Sequence, residues 1–103
     1  MSVLAILLLA AITVNAGPDQ SVRFARQPTA DAPGIVQLGG IVTGTKAFQW
    51  QFPFPEPEVG VQLTDPRSIA PKLVIHHPGR YRVWLVASDG KQVVTDEVVI
   101  IVE

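Results

Sequence analysis

Arg80-Tyr81-Arg82-Val83-Trp84-Leu85-Val86-Ala87-Ser88 alternates with period two, and Asp89-Gly90 follows it at once. Successive side chains of an extended strand point to opposite faces, so Tyr81, Val83, Leu85 and Ala87 share one face and Arg82, Trp84 and Val86 the other. Asp-Gly is a hairpin signal, because glycine adopts positive φ without steric cost. The chain therefore turns back, and Gln92 to Val102 reads as the partner strand. Val98, Ile100 and Val102 take its inward positions, which leaves Val99 and Ile101 facing out.

The same grammar extends upstream. Ile12 to Ala16 reads as a first strand, stopped by Gly17-Pro18-Asp19, and Ser21 to Ala25 resumes it. Gln27 to Gly34 is a loop, and Ile35 to Val42 is a second strand interrupted by Gly39-Gly40. In Lys46 to Phe52 alternation places Phe48, Trp50 and Phe52 on one face and Gln49 and Gln51 on the other. Pro53, Pro55 and Pro57 end that ladder, since proline has no N–H to donate. Val59 to Leu63 and Lys72 to His76 flank a proline-bearing loop. Short strands separated by turn residues predict an all-β sandwich or barrel.

Composition agrees. The 103 residues make one domain, long enough to bury a core without covalent staples. Hydrophobic residues are 48% and charged residues 17%, the reverse of the balance that keeps a chain disordered. Eight basic and nine acidic residues leave no basic field to hold a phosphate backbone, so no nucleic-acid partner is expected. The absence of cysteine excludes disulfides, thiolate catalysis and cysteine-ligated zinc.

Val3 to Ile12 is an unbroken apolar run. A bilayer-spanning helix needs about 20 such residues, so the run is too short, and no membrane partner is expected. It has the length of a signal-peptide core, and Val14-Asn15-Ala16 resembles a cleavage site. Against that reading, no Lys or Arg precedes the run, and cleavage after Ala16 would cut into the first strand. We read residues 1–13 as an apolar arm ahead of a domain over 14–103. A segment that is apolar all round has no face to offer to water, so Val3, Leu4, Ile6, Leu7, Leu8 and Leu9 are expected to contact a partner.

Asn15-Ala16-Gly17-Pro18-Asp19-Gln20-Ser21-Val22 resembles the opening of a PKD (polycystic-kidney-disease-repeat) domain. Trp50 stands where that family carries its core tryptophan. Pro78-Gly79-Arg80-Tyr81-Arg82-Val83 resembles its entry into a central strand, Leu85 to Gly90 the end of that strand, and Asp96 to Val102 its closing strand. The ordered set covers roughly residues 14 to 103 and is more specific than any single motif. The chain departs from the family after Trp50. Many members carry an Asp-Phe-Gly-Asp-Gly-like turn, whereas Gln51-Phe52-Pro53-Phe54-Pro55 stands here. No cation site tied to that acidic turn is therefore expected. The resemblance implies an immunoglobulin-like, two-sheet sandwich of about seven strands. It also implies scaffolding or adhesion at a particle surface or outside the cell, with protein or glycan contact and no catalysis.

The chemistry-bearing residues fit that expectation. His76 and His77 are strand neighbours pointing to opposite faces, so they do not chelate a metal together. Asp19, Asp65, Asp89 and Asp96 lack the spacing of a calcium loop. No G-x-S-x-G or supported Ser–His–Asp set is present. No enzyme activity, metal or cofactor is expected. The contact candidates besides the arm are Trp84, Val86, Val99 and Ile101, expected as one apolar patch on an outer sheet face, and Phe54, held between Pro53 and Pro55. The expected partner is protein: subunits of a shell such as a virion or capsid surface, copies of this chain included. A secreted or cell-surface adhesion module that contacts protein or glycan is the alternative.

Overall fold

The structure, a computed structural model, describes residues 11–53 and 60–103. Among them the regular elements are strands: β1 Thr13–Asn15, β2 Gln20–Val22, β3 Gly34–Gln37, β4 Ile41–Thr43, β5 Phe48–Gln51, β6 Val61–Thr64, β7 Lys72–Ile75, β8 Gly79–Ser88 and β9 Val93–Val102. One sheet has the order β2-β9-β8-β5 and the other β3-β7-β6, with β1 and β4 forming a two-stranded ribbon. β2 runs parallel to β9, and the other pairs are antiparallel. The all-β, immunoglobulin-like sandwich is thus the observed architecture.

The β8–β9 hairpin organises the fold, with the two strands paired from Gly79↔Val102 to Ser88↔Val93. Its turn closes on a carboxylate: Asp89 Oδ1 accepts the Lys91 and Gln92 N–H groups, each at 2.8 Å. Gly90 sits at φ 90°, a conformation that glycine reaches without strain. Tyr81, Val83, Leu85 and Ala87 are buried on one side of β8, and Val98, Ile100 and Val102 on the same side of β9.

Trp50, 1% exposed, fills the space between the sheets. Its indole N–H donates to the Ser68 carbonyl at 2.9 Å, which satisfies the one polar atom that the ring carries into the core. Its backbone N–H donates to the Pro66 carbonyl at 2.7 Å. The loop after β6 thereby covers part of the edge that β5 would otherwise expose.

Two carboxylates fasten the N-terminal strands to β9. Asp96 Oδ2 accepts the Ala16 N–H at 2.8 Å, and Asp19 Oδ1 accepts the Val99 N–H at 2.9 Å. Ala16 and Ile12 are buried with the core residues.

Several boundaries differ from the sequence reading; the strand expected over Ser21 to Ala25, for instance, is Gln20–Val22, and it pairs with β9 while β1 pairs with β4. Ile35 to Val42, expected as one strand, is divided between β3, which pairs with β7, and β4, which pairs with β1. Gly39-Gly40 makes the break, and close packing explains why glycine is there. A Cβ at Gly40 would lie 2.6 Å from Leu85 Cδ2 and 2.9 Å from Trp50 Cζ2. The strand expected from Val59 begins at Val61. Residues 1–10 of the arm, with Val3, Leu4, Ile6, Leu7, Leu8 and Leu9, and Phe54 lie outside the described residues.

Candidate contact faces

The outer face of the four-stranded sheet carries Gln49 and Gln51 from β5, Arg80, Arg82, Trp84 and Val86 from β8, and Thr95, Glu97, Val99 and Ile101 from β9. Trp84, Val86 and Val99 are half-buried there, and Ile101 is 43% exposed.

Register sets what stands beside what. Trp84 lies between Gln51 of β5 and Glu97 of β9, and Val86 between Gln49 and Thr95. Val99 is opposite Arg82, and Ile101 opposite Arg80. Trp84 and Val99 are therefore diagonal neighbours. The other diagonal of the same square joins Arg82 to Glu97, with Arg82 Nε donating to Glu97 Oε1 at 2.6 Å. Trp84 Nε1 donates to the same oxygen at 3.2 Å.

The expected single apolar patch is thus corrected. All four residues face outward, but an ion pair crosses between Trp84 and Val99. Alternation assigns a residue to a face; the length of the turn decides its neighbour across the hairpin. The pair is partly exposed, so its own contribution to stability is at most about 1 kcal/mol.

A second concave region separates the edges of the two sheets. It is an open groove of about 860 Å³ between β5 and β6, with Trp50, Phe52, Val61 and Leu63 supplying apolar lining and Gln51 and Gln62 polar rims. The segment that joins its walls, residues 54–59, lies outside the described residues. Sequence reading missed this groove because its walls belong to different sheets.

Among the described residues, no group of three His, Cys, Asp or Glu could hold a metal ion. His77 is taken up in a corner with Tyr81, whose hydroxyl lies 3.2 Å from His77 Nδ1. His76 Nδ1 is buried without a hydrogen-bond partner. The Asp89 carboxyl is held below its usual range by the backbone N–H groups of Gln92 and Lys91. Among the described residues no helix is long and apolar enough to cross a membrane.

No family model and no curated protein matches the chain by sequence. Solved structures do match its fold. The PKD domain of human KIAA0319 superposes with a TM-score of 0.65 at 14% identity, over 89% of this chain and 80% of that one. The PKD domain from the KIAA 1837 protein gives 0.57 at 19% identity, over 87% and 84%. A chimeric titin Z1Z2 gives 0.51 at 15% identity, over 89% and 93%. Sheet order, buried tryptophan and structural neighbours agree: the chain is an immunoglobulin-like β-sandwich with the fold of a PKD domain.

Proposed function

We propose that this chain is a non-catalytic structural module that docks onto a larger protein assembly through its apolar arm, with the Trp84 face as a second contact. A PKD-type fold is in keeping with a binding or structural role. The observation that carries the reading is the point where the arm meets the domain. Ile12 and Ala16 are buried and β1 is paired with β4, so the domain is anchored from Ile12 onward. Among the described residues the core is built from both sheets, and it is on the sequence that the apolar residues before Ile12 are read as a docking segment. Burying one Leu or Ile side chain is worth about 1.5–3 kcal/mol, so a few of them suffice to hold a small protein on a shell after association costs. A virion surface or capsid shell built of repeated subunits is the setting that we favour for such a decoration module.

In the secreted or cell-surface reading the arm is either an anchor, which stays, or a signal peptide, which is removed. Cleavage after Ala16 would delete β1 together with Ile12 and Ala16 of the core, which argues against that position. The test is a chain beginning at Ile12. The docking reading expects it to keep the melting temperature of the full chain and to lose assembly. Unfolding would assign the arm to the core, and undiminished assembly would make it a dispensable leader.

A further inference from the structure

The groove between β5 and β6 has a strand edge along each wall. The His76 N–H donates to the Gly60 carbonyl at 2.8 Å. Bonded and non-bonded pairs alternate along an antiparallel ladder, so Gln62 and Thr64 direct their backbone groups at β7, and Val61 and Leu63 direct theirs at the groove. Among the described residues, nothing pairs with the N–H or C=O of Val61 or Leu63. On the other wall the Ser88 N–H donates to the Ala47 carbonyl at 3.0 Å, and the same alternation turns the Trp50 backbone away from β8. The Pro66 carbonyl takes the Trp50 N–H, so the β5 edge is partly covered and the β6 edge is the open one. Such an edge is a template for one more strand, held by main-chain hydrogen bonds. Phe52 and Leu63, both half-buried, offer it apolar contact from the two walls.

The chain itself carries a segment that fits. No described residue lining the groove is charged, and no charged side chain precedes Asp19, so neither surface pays to bury a charge against the other. Val3 to Ile12 contains no proline, so every position has an N–H to donate. β6 is four residues long, about 13 Å at the rise of an extended strand, and residues 3–9 would span about 23 Å in that form, enough to cover the whole edge. The place where β1 begins selects whose groove is filled. The Ala11 carbonyl lies against Gly44, at the turn where β4 gives way to β5, and the groove runs back along the domain from there. A chain prolonged from β1 past that turn must reverse to reach its own groove, and no Gly, Pro, Asn, Asp or Ser stands between Val3 and Ile12 to make the reversal. We propose, resting on the docking reading above, that the β6 edge in this groove receives residues 3–9 of a second copy of the chain as an added strand.

The experiment follows amide hydrogen exchange by NMR, with sedimentation alongside, on the full chain from micromolar to millimolar concentration. Self-association is expected, and with it exchange of the Val61 and Leu63 N–H groups at least about 10-fold slower than in the dilute chain. Ile6→Lys with Leu8→Lys alters only the arm and should abolish both effects. A full chain that stays monomeric throughout would overturn the proposal and leave the docking reading standing, with another protein as the receptor. Slow exchange at Val61 and Leu63 that does not depend on concentration would overturn it by placing the arm in its own groove. Self-association that leaves these two amides fast would overturn it by placing the contact elsewhere. Self-association and slow exchange that persist undiminished in the double variant would overturn both the proposal and the docking reading, since the arm would then play no part.

Discussion

The Tyr81 hydroxyl donates to the backbone carbonyl of His77, four residues upstream, at 2.5 Å. Tyr81 is 1% exposed, so the bond carries its polar tip out of the core to the turn that launches β8. This is the geometry of a tyrosine corner, in which a strand-entry tyrosine ties the chain back onto itself. Tyr81→Phe keeps the ring and removes the hydroxyl. It should cost about 1–2 kcal/mol, the net value of one buried hydrogen bond whose acceptor is left behind. Urea denaturation would show this as a lower midpoint with an unchanged slope. An unaltered midpoint would mean that water replaces the hydroxyl without loss.

Trp50 should be the costlier site. Its truncation to Ala removes the largest core side chain and leaves the Ser68 carbonyl without its indole donor. A loss of about 3–5 kcal/mol is expected, a large share of a small domain's stability. A loss below about 1 kcal/mol would contradict the packing described above.

Gly39 and Gly40 are adjacent and should behave differently. A Cβ at Gly39 meets nothing within 4 Å, whereas at Gly40 it would meet Leu85, Trp50 and the Asn15 carbonyl at 2.6–3.0 Å. Gly39→Ala should change stability by no more than about 0.5 kcal/mol. Gly40→Ala should cost about 1–3 kcal/mol through overpacking. Thermal melts of the two variants side by side would check the contrast.

Much of the fold was legible because it is written locally. The alternation from Tyr81 to Ala87 gives the buried face of β8, and Asp89-Gly90 gives the turn, each within a few residues. What remained illegible depends on distant partners. Nothing near Ile35 says that the chain will exchange β7 for β1 at Gly40. Asp96 read as an isolated carboxylate because the N–H it accepts, that of Ala16, lies 80 residues away. The contact face was half legible. Alternation puts Trp84, Val86, Val99 and Ile101 on the outer side, where the structure has them, but the turn from Asp89 to Gln92 sets Trp84 against Glu97.

Lowering the pH should weaken the hairpin turn through Asp89. Two backbone N–H groups hold its carboxyl below the ordinary value of 3.8. A group with a depressed folded-state pKa contributes stability above its unfolded value, and that contribution is lost as the pH falls through the folded value. Asp89→Ala should therefore melt below the parent near pH 6, and the gap should narrow below about pH 4. A gap constant from pH 6 to pH 2 would show that ionisation is not what holds the turn.

The Arg82–Glu97 pair divides the outer face at little cost to the fold, and removing it should change association more than stability. Glu97 accepts from both Arg82 and Trp84, and its own side chain is 35% exposed. In Glu97→Val an apolar side chain would stand opposite Trp84, beside Val99, and the diagonal interruption would be gone. Stability should shift by no more than about 1 kcal/mol, since the pair is partly solvated and valine favours an extended strand. A continuous apolar strip from Val86 to Ile101 would now face water, and such surfaces associate. Analytical ultracentrifugation of the parent and the variant, each begun at Ile12 to remove the arm, isolates this effect from docking by the N-terminus. The variant is expected to self-associate at concentrations where the parent does not. Identical sedimentation would mean that Arg82 shields the strip on its own, and Arg82→Thr combined with Glu97→Val would then be the pair to compare.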